Sequence, residues 1–398
     1  MLGPGLLVAA TGVGAGDLAT AGFAGSKLGL IVLWAIVLGA IMKFVLNEGL
    51  ARWQLATDTT LIKGVSRHLG RWAMGVFLVY LLAFSFFVGG ALISATGVAT
   101  HSLIGWPGDP VQAKLLWGGL GSLLAMLLVL VGGFALFERV MAFGIAVMFI
   151  AVIVTACLLG ADVSELAGGL VPSRPADHQT LDWTISLVGG VGGTVTVLCY
   201  GYWIRQSGRS GMGSMKACRI DLAVAYVATA MFGIAMLIIA SGIEVEGRGT
   251  ALLVQLSQRL HEALGSGGAT LFLIGAWAAI ASSLLGVWQS LPMLFTDAWR
   301  SFVGQPPLAP EELPRTGTYR VLLVLLAIVP MFQAGYGFAS VQKAYAMFGA
   351  FFLPLLAIVL LLLNRRRLIG SAANRPWVDV ALILILLFFV GVAIDRII

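Results

Sequence analysis

The residues of this chain that could do chemistry are few, and most of them sit beside glycines. Near the start, Ala10-Thr11-Gly12-Val13-Gly14-Ala15-Gly16-Asp17 sets a carboxylate against a glycine cluster inside an apolar stretch. Midway along, Gly189-Gly190-Val191-Gly192-Gly193-Thr194 repeats the pattern, followed by Val195, Thr196, Cys199 and Tyr200. A glycine inside a helix costs about 1 kcal/mol relative to alanine. A cluster therefore marks either close packing of one helix on another or a helix that comes apart. A helix that comes apart frees carbonyls, and carbonyls with hydroxyls and a carboxylate are ligands for hard cations. A carboxylate at that depth costs roughly 2.5–3.5 kcal/mol on insertion scales. Asp17 could offset this cost by binding a cation, or by capping the free N–H groups of a second half-helix.

Other polar positions are scattered through apolar runs. Lys43, Asn47 and Glu48 lie together, and Glu48 is one helical turn from Arg52, the spacing of a helical ion pair. Thr196 offers a hydroxyl that either faces a ligand or bonds its own backbone, and Cys199 reads as a small apolar residue beside it. Lys343, next to Gln342, either extends its stem to the water interface or supplies an internal positive charge facing the glycines. Glu48, Lys343 and Tyr200 are the candidates for coupling or gating. Gln289, Ser282 and Ser283 read as packing groups.

What is missing also narrows the chemistry. His68, His101, His178 and His261 all fall in expected loops, so no imidazole is placed to bind a metal or relay a proton within the membrane. There is no phosphate-binding Walker loop, no Gly-x-Ser-x-Gly elbow and no CxxC pair. The sequence therefore points away from an enzyme, and it implies no cofactor and no nucleic-acid partner.

The elements that must position these residues are membrane spans. Of 398 residues, 59% are hydrophobic and 11% charged, against about 25% charged in soluble domains. The mean hydropathy is +0.99. Apolar runs of the roughly 20 residues that cross a bilayer predict eleven spans: 3–24, 28–50, 72–95, 114–134, 138–160, 183–205, 219–242, 269–296, 318–334, 338–363 and 376–394. The fourth and fifth are separated only by Phe137-Glu138-Arg139. Met1 leads into an apolar stretch with no basic region before it, so the first span is expected to stay in the mature protein. Cys157, Cys199 and Cys218 lie in or beside spans, which implies no disulfide framework.

Charge orients the spans. Arg52, Lys63, Arg67 and Arg71 follow span 2, and Arg205, Arg209, Lys216 and Arg219 follow span 6. Arg300, Arg315 and Arg320 surround the connection after span 8, and Arg365, Arg366, Arg367 and Arg375 the one after span 10. The opposite loops carry Asp109, Asp162, Glu165, Glu244 and Glu246. Basic loops stay cytoplasmic. The expectation is a multi-pass plasma (inner) membrane protein with a cytoplasmic N-terminus and an external C-terminus, and the net charge of +6 reflects orientation.

The glycine clusters open spans five apart, so the two halves face opposite ways in the membrane. Interrupted helices at matching positions of inverted halves are the sequence pointer to a carrier's central site.

On these residues the chain resembles the natural resistance-associated macrophage protein (NRAMP) family of divalent-metal transporters. Gly3-Pro4-Gly5-Leu6-Leu7-Val8-Ala9-Ala10 is similar to that family's opening, and Ala19-Thr20 to the Ala-Thr after its Asp-Pro-Gly-Asn motif. Ala51-Arg52-Trp53-Gln54-Leu55-Ala56-Thr57 resembles its Ala-Arg-x-x-x-Ala-Thr. Ala278-Ala279, Ser282-Ser283, Pro354 and Asn364-Arg365 resemble its later segments. The resemblance implies an all-α integral membrane protein with a LeuT-like 5+5 inverted repeat and discontinuous helices 1 and 6. It divides the chain into a first repeat at 1–160, a second at 161–364 and an eleventh span at 365–398.

The chemical core departs from that family. Against Asp-Pro-Gly-Asn the chain reads Gly14-Ala15-Gly16-Asp17, and against Met-Pro-His it reads Thr196-Val197-Leu198. Span 3 has no acidic residue between Trp72 and Ala99, where the family carries carboxylates linked to proton movement. Losing the thioether shifts the expected cargo towards a hard or partly hydrated cation such as Mg²⁺ or Mn²⁺. The expected metal ligands are Asp17, Gly14 and Thr196, with Val195 and Cys199 completing the substrate-binding set, and proton coupling is expected to be weak or absent. The bilayer and the cation are the expected partners; a monomer is one option, and the sequence leaves the oligomeric state open. A LeuT-like carrier of a small organic solute, with Asp17 pairing to an ammonium group or to Lys343, and a non-transporting membrane sensor are the alternatives.

Overall fold

In a computed structural model of the chain, residues 3–107, 109–173, 175, 177–243 and 252–395 are described, without the side chains of some helical positions, among them 13–16 and most of 132–148. Backbone groups in a bilayer must be paired within their own segment, and the described residues answer this with helices. Nine helices among them are long and apolar enough to cross a membrane, or ten if a bent pair counts as one.

The first interrupted span begins with α1 (Pro4–Gly12), continues as a π-helical stretch over Val13–Thr20 and ends in α2 (Ala21–Leu28). The glycine cluster therefore widens the helix instead of unwinding it. A π-helical turn holds an extra residue, and such turns gather at functional sites. The chain then turns at Gly29, with φ of 62°, and enters α3 (Leu33–Thr57). Asp58 stops α3 in the left-handed conformation, with φ of 51°.

Span 3 belongs to α4 (Leu61–Ile104), which kinks at Gly70, where φ is 84°. The kink separates a short leading segment, capped by Thr60 through the Lys63 N–H at 3.3 Å, from the crossing helix. The next helix, α5 (Pro110–Leu159), runs through the boundary expected between spans 4 and 5. Phe137-Glu138-Arg139 contains neither glycine nor proline, so nothing local stops the helix there. α5 ends at Gly160, and the short α6 (Val163–Gly169) folds back at 120° to it.

The second interrupted span is a true break. Helix α7 (His178–Gly190) is capped by Asp177, whose carboxylate accepts from the Thr180 N–H at 2.7 Å. That bond holds the exposed Asp177 carboxyl below the usual carboxylate range. After Gly190 the backbone turns through Gly192 and Gly193, with φ of 72° and 81°, a region closed to most side chains. A 3₁₀ turn (Val195–Cys199) and α8 (Tyr200–Gln206) complete the span.

The remainder is α9 (Met215–Ala240), α10 (Leu252–Val303, kinked at Gly265), α11 (Gly317–Ile328), α12 (Phe338–Ala350), α13 (Phe352–Leu363), the short α14 (Arg366–Ile369) and α15 (Pro376–Asp395). Their apolar surfaces divide by position. On α15, Val380, Leu384, Leu387 and Val390 are exposed, as a helix facing lipid requires. The most apolar stretch of the α7–α8 span is wholly buried instead. It is wrapped by the first interrupted span and by α3, α10 and α12. The two interruptions thus meet at the centre of the bundle.

Candidate functional site

The site is built on bare backbone. A Cβ added at Gly12 would lie 2.2 Å from the Gly193 nitrogen and 2.5 Å from the Gly192 carbonyl carbon. Only glycine lets α1 come this close to the break between α7 and α8. Gly286 on α10 plays the same part, since a Cβ there would reach Thr11 Oγ1 at 2.5 Å. Ser283, one turn earlier on α10, donates to the Ala10 carbonyl at 3.0 Å. Gln342 on α12 donates to Thr20 Oγ1 at 2.9 Å. These contacts give work to two of the groups that sequence reading had assigned to packing or left aside.

Asp17 is fully buried in the π-helical stretch. It does not cap its own second half-helix. Both of its carboxylate oxygens accept from the Gly192 N–H, at 3.1 and 3.2 Å, in the other interrupted span. The carboxylate therefore reaches across the contact between the two breaks. Gly14 lies in the same π-helical stretch, and the side chains of 13–16 lie outside the described residues.

The positive charge at this centre is Lys43, which is fully buried on α3. Its ammonium donates to the Gly189 carbonyl at 2.7 Å and to the Val191 carbonyl. Asn47, one turn on, donates to the Tyr226 hydroxyl, and the Tyr226 ring lies against Gly192. The sharper reading of Lys343 fails at this point. That side chain is one-third exposed and pairs with Asp182 at 3.2 Å, away from Asp17. Sequence position hid Lys43, because it falls among residues expected at the basic end of span 2. The signal that could have found it is its distance from the helix end: Lys43 lies more than three turns before Asp58.

Of the remaining expected site residues, Val195 is fully buried and Thr196 nearly so, and Thr196 Oγ1 lies beside Gly193. Cys199 is turned to α10, with Sγ 3.7 Å from the Ser290 carbonyl oxygen. Tyr200 is likewise turned away, donating towards the Cys218 carbonyl and Asp221, each at 3.2 Å. Asp221 also accepts from the Gly5 N–H at 2.8 Å and from Arg209 at 2.9 Å. It thus ties the start of α1 to α9. Glu48 accepts from Arg52 at 2.5 Å, as its spacing predicts, and also from Arg219 at 2.8 Å. A third network joins Asp297 to Thr60 at 2.8 Å and to Tyr202 at 2.6 Å. All three lie towards the basic loops, so that end of the central site is fastened by ion pairs and hydrogen bonds.

Among the described residues no three His, Cys, Asp or Glu side chains gather to hold a metal. The donors at the contact are one carboxylate, backbone carbonyls and threonine hydroxyls. This set suits a hard cation rather than a thiophilic one. Asp17, Lys43, Thr194 and Thr196 are all buried at this contact.

The sequence model of a family described as natural resistance-associated macrophage protein-like matches residues 5–398. The divalent metal cation transporter MntH of Mycobacterium tuberculosis is 25% identical over 301 residues, which cover 72% of this chain and 68% of that one. The Eremococcus coleocola manganese transporter, in complex with an aromatic bis-isothiourea substituted compound, matches with a TM-score of 0.77 and 18% identity, over 98% of this chain and 84% of that one. MhsT in complex with L-phenylalanine matches at 0.62 and 18% identity, over 96% and 97%. At these identities the two structures are likenesses of fold, and the fold is the all-α, LeuT-like one.

Proposed function

Because the chain belongs to the natural resistance-associated macrophage protein-like family, we propose that it carries a divalent metal cation across the bilayer by alternating access, with Asp17 as the charged ligand. The observation that carries this reading is the buried Asp17 carboxylate, held at the Gly192 N–H where the bare backbones of two interrupted spans touch. The relatives are named a divalent metal cation transporter and a manganese transporter, which supports the class of cargo. The carbonyls of Gly14 and Val195 and the Thr196 hydroxyl complete the proposed shell. These ligands favour Mg²⁺ or Mn²⁺ in a partly hydrated form.

The working parts follow from the same reading. Residues 1–160 and 161–364 act as inverted repeats that rock about the site, with 365–398 appended. The basic loops face the cytoplasm of a plasma (inner) membrane, which puts the N-terminus inside and the C-terminus outside. The three networks around Glu48, Asp221 and Asp297 then form the cytoplasmic closure. The lack of carboxylates between Trp72 and Ala99 supports transport with little or no proton coupling.

The test is flux of Mn²⁺ and Mg²⁺ into liposomes holding the purified full chain, with and without a pH gradient. Saturable metal flux that is lost in Asp17→Ala and indifferent to the gradient is expected. Metal flux of the same size in Asp17→Ala would end this reading. A second reading, carriage of a small organic solute, draws on one observation: an ammonium and a carboxylate, those of Lys43 and Asp17, already sit at one peptide group, an arrangement that a solute ammonium could take over. Uptake of an organic amine without any metal flux would favour it.

A further inference from the structure

Lys43 is a buried charge beside the two interruptions, and the proposed transport cycle gives it no task. Its ammonium sits between the Gly189 and Val191 carbonyls. These carbonyls end the first half of the interrupted span, where the half-helix presents the negative end of its dipole. Carbonyls at the C-terminal end of a half-helix are groups that a carrier uses to coordinate a cation. Here a cation already occupies them, and it belongs to the protein.

We infer that Lys43 is a tethered cation: in the closed conformation its ammonium, held at the Gly189 and Val191 carbonyls, balances the Asp17 carboxylate across the Val191–Gly192 peptide, and it competes with the transported metal ion for that charge, withdrawing as the ion binds at Asp17. The inference rests on the cation reading of the site. Three observations support it. A neutral donor such as an amide would satisfy orphan helix carbonyls without placing a charge in the bilayer. The opposing carboxylate is one peptide group away, at the Gly192 N–H. An incoming ion therefore meets a site whose formal charge is balanced until Lys43 leaves. The side chain also has four methylene groups, so its ammonium can move by several ångströms while α3 stays in place.

The polar neighbours on α3 show that this face of the helix is built for the break. Asn47 reaches Tyr226, whose ring covers Gly192. A lysine placed only to stiffen the fold would need no such continuation towards the second glycine turn.

The experiment is calorimetric titration of Mn²⁺ into the purified full chain, comparing the unaltered protein with Lys43→Met and Asp17→Asn. The expected result is an affinity at least tenfold tighter in K43M, or binding where the unaltered protein shows none, together with loss of binding in D17N. Unchanged or weaker affinity in K43M, with binding lost in D17N, overturns the tethered cation and leaves the site reading intact. Binding in D17N equal to that of the unaltered protein overturns the site reading itself. If K43M does not fold, Lys43→Ala with added propylammonium, which replaces the deleted atoms, provides the second measurement. Propylammonium is expected to raise the melting temperature of K43A and to compete with Mn²⁺, while tetramethylammonium does neither. A raised melting temperature without competition shows a mere helix cap and overturns the inference.

Discussion

Asp17 and Lys43 hold opposite edges of one peptide group. The Val191 carbonyl accepts from the Lys43 ammonium, and the Gly192 N–H meets both Asp17 oxygens at 3.1 and 3.2 Å. The C=O and N–H of a trans peptide point in opposite directions. The two charges therefore approach from opposite sides, each against the end of the peptide dipole that it stabilises. The glycines on either side make the arrangement possible: Gly12 lets α1 approach, and Gly192 and Gly193 turn the backbone through the left-handed region. Each charge is a large part of the other's compensation, because a buried charge left alone costs several kcal/mol.

The first prediction concerns this coupling. Asp17→Asn removes the charge and keeps a group that can accept from Gly192. It is expected to reduce metal flux at least tenfold and to lower the melting temperature, because it leaves the Lys43 ammonium buried with neutral carbonyl partners only. The double variant Asp17→Asn with Lys43→Met should recover much of that stability and none of the flux. Thermal unfolding in detergent measures the cycle. Additive losses in the double variant would show that the charges act independently.

Gly12→Ala tests the backbone contact. Its Cβ would collide with the Gly193 nitrogen and Gly192 carbonyl carbon, neither of which can rotate away. Flux is expected to be lost, with a melting temperature well below that of the unaltered chain. Gly105→Ala is the control. Gly105, which ends α4, has φ of 74° and ψ of 3° but open space around it, so the cost should be only the left-handed strain of about 1–2 kcal/mol, with transport retained. Equal flux in the two variants would contradict the close approach.

Much of this was legible in the sequence because it depends on residue type. Membrane spans follow from composition, and the glycines at Gly12, Gly189 and Gly192 stand where neighbouring atoms would block a side chain. The form of the first interruption was not legible, because a π-helical stretch and an unwound turn draw on the same glycines. Nor was the Asp17 partner: its choice between its own helix and the Gly192 N–H is made by tertiary contact. Lys43 and Lys343 show the limit clearly. Both are lysines in apolar runs, and only packing decides that one is fully buried on carbonyls while the other pairs with Asp182 at the rim.

That contrast yields a prediction for Lys343. The pair with Asp182 spans 3.2 Å, with side-chain exposures of 34% and 18%. Ion pairs this accessible contribute about 0–1 kcal/mol. Lys343→Ala should therefore leave both metal flux and melting temperature close to those of the unaltered protein. A tenfold loss of flux would return Lys343 to the site and displace Lys43 from the argument.

The last prediction concerns the closure at the basic end. Glu48 is 2% exposed and accepts from Arg52 and Arg219, while Arg219 is 37% exposed. Glu48→Gln removes the carboxylate charge and leaves buried Arg52 with neutral acceptors alone, the new amide oxygen and the carbonyls of Ala372 at 3.1 Å and Ala373 at 3.4 Å. The expected loss is about 3–5 kcal/mol. Arg219→Ala removes a partner that water can replace, so its cost should be about 0–1 kcal/mol. The two variants separate stability from gating. Arg219 joins α9 to α3, and releasing it should let the basic end open more often with little loss of stability. Cysteine labelling from that side, at a residue placed beside Tyr200 in a background without Cys157, Cys199 and Cys218, should accelerate in R219A. Labelling at the unaltered rate would mean that the Glu48 cluster holds the fold together without acting as a gate.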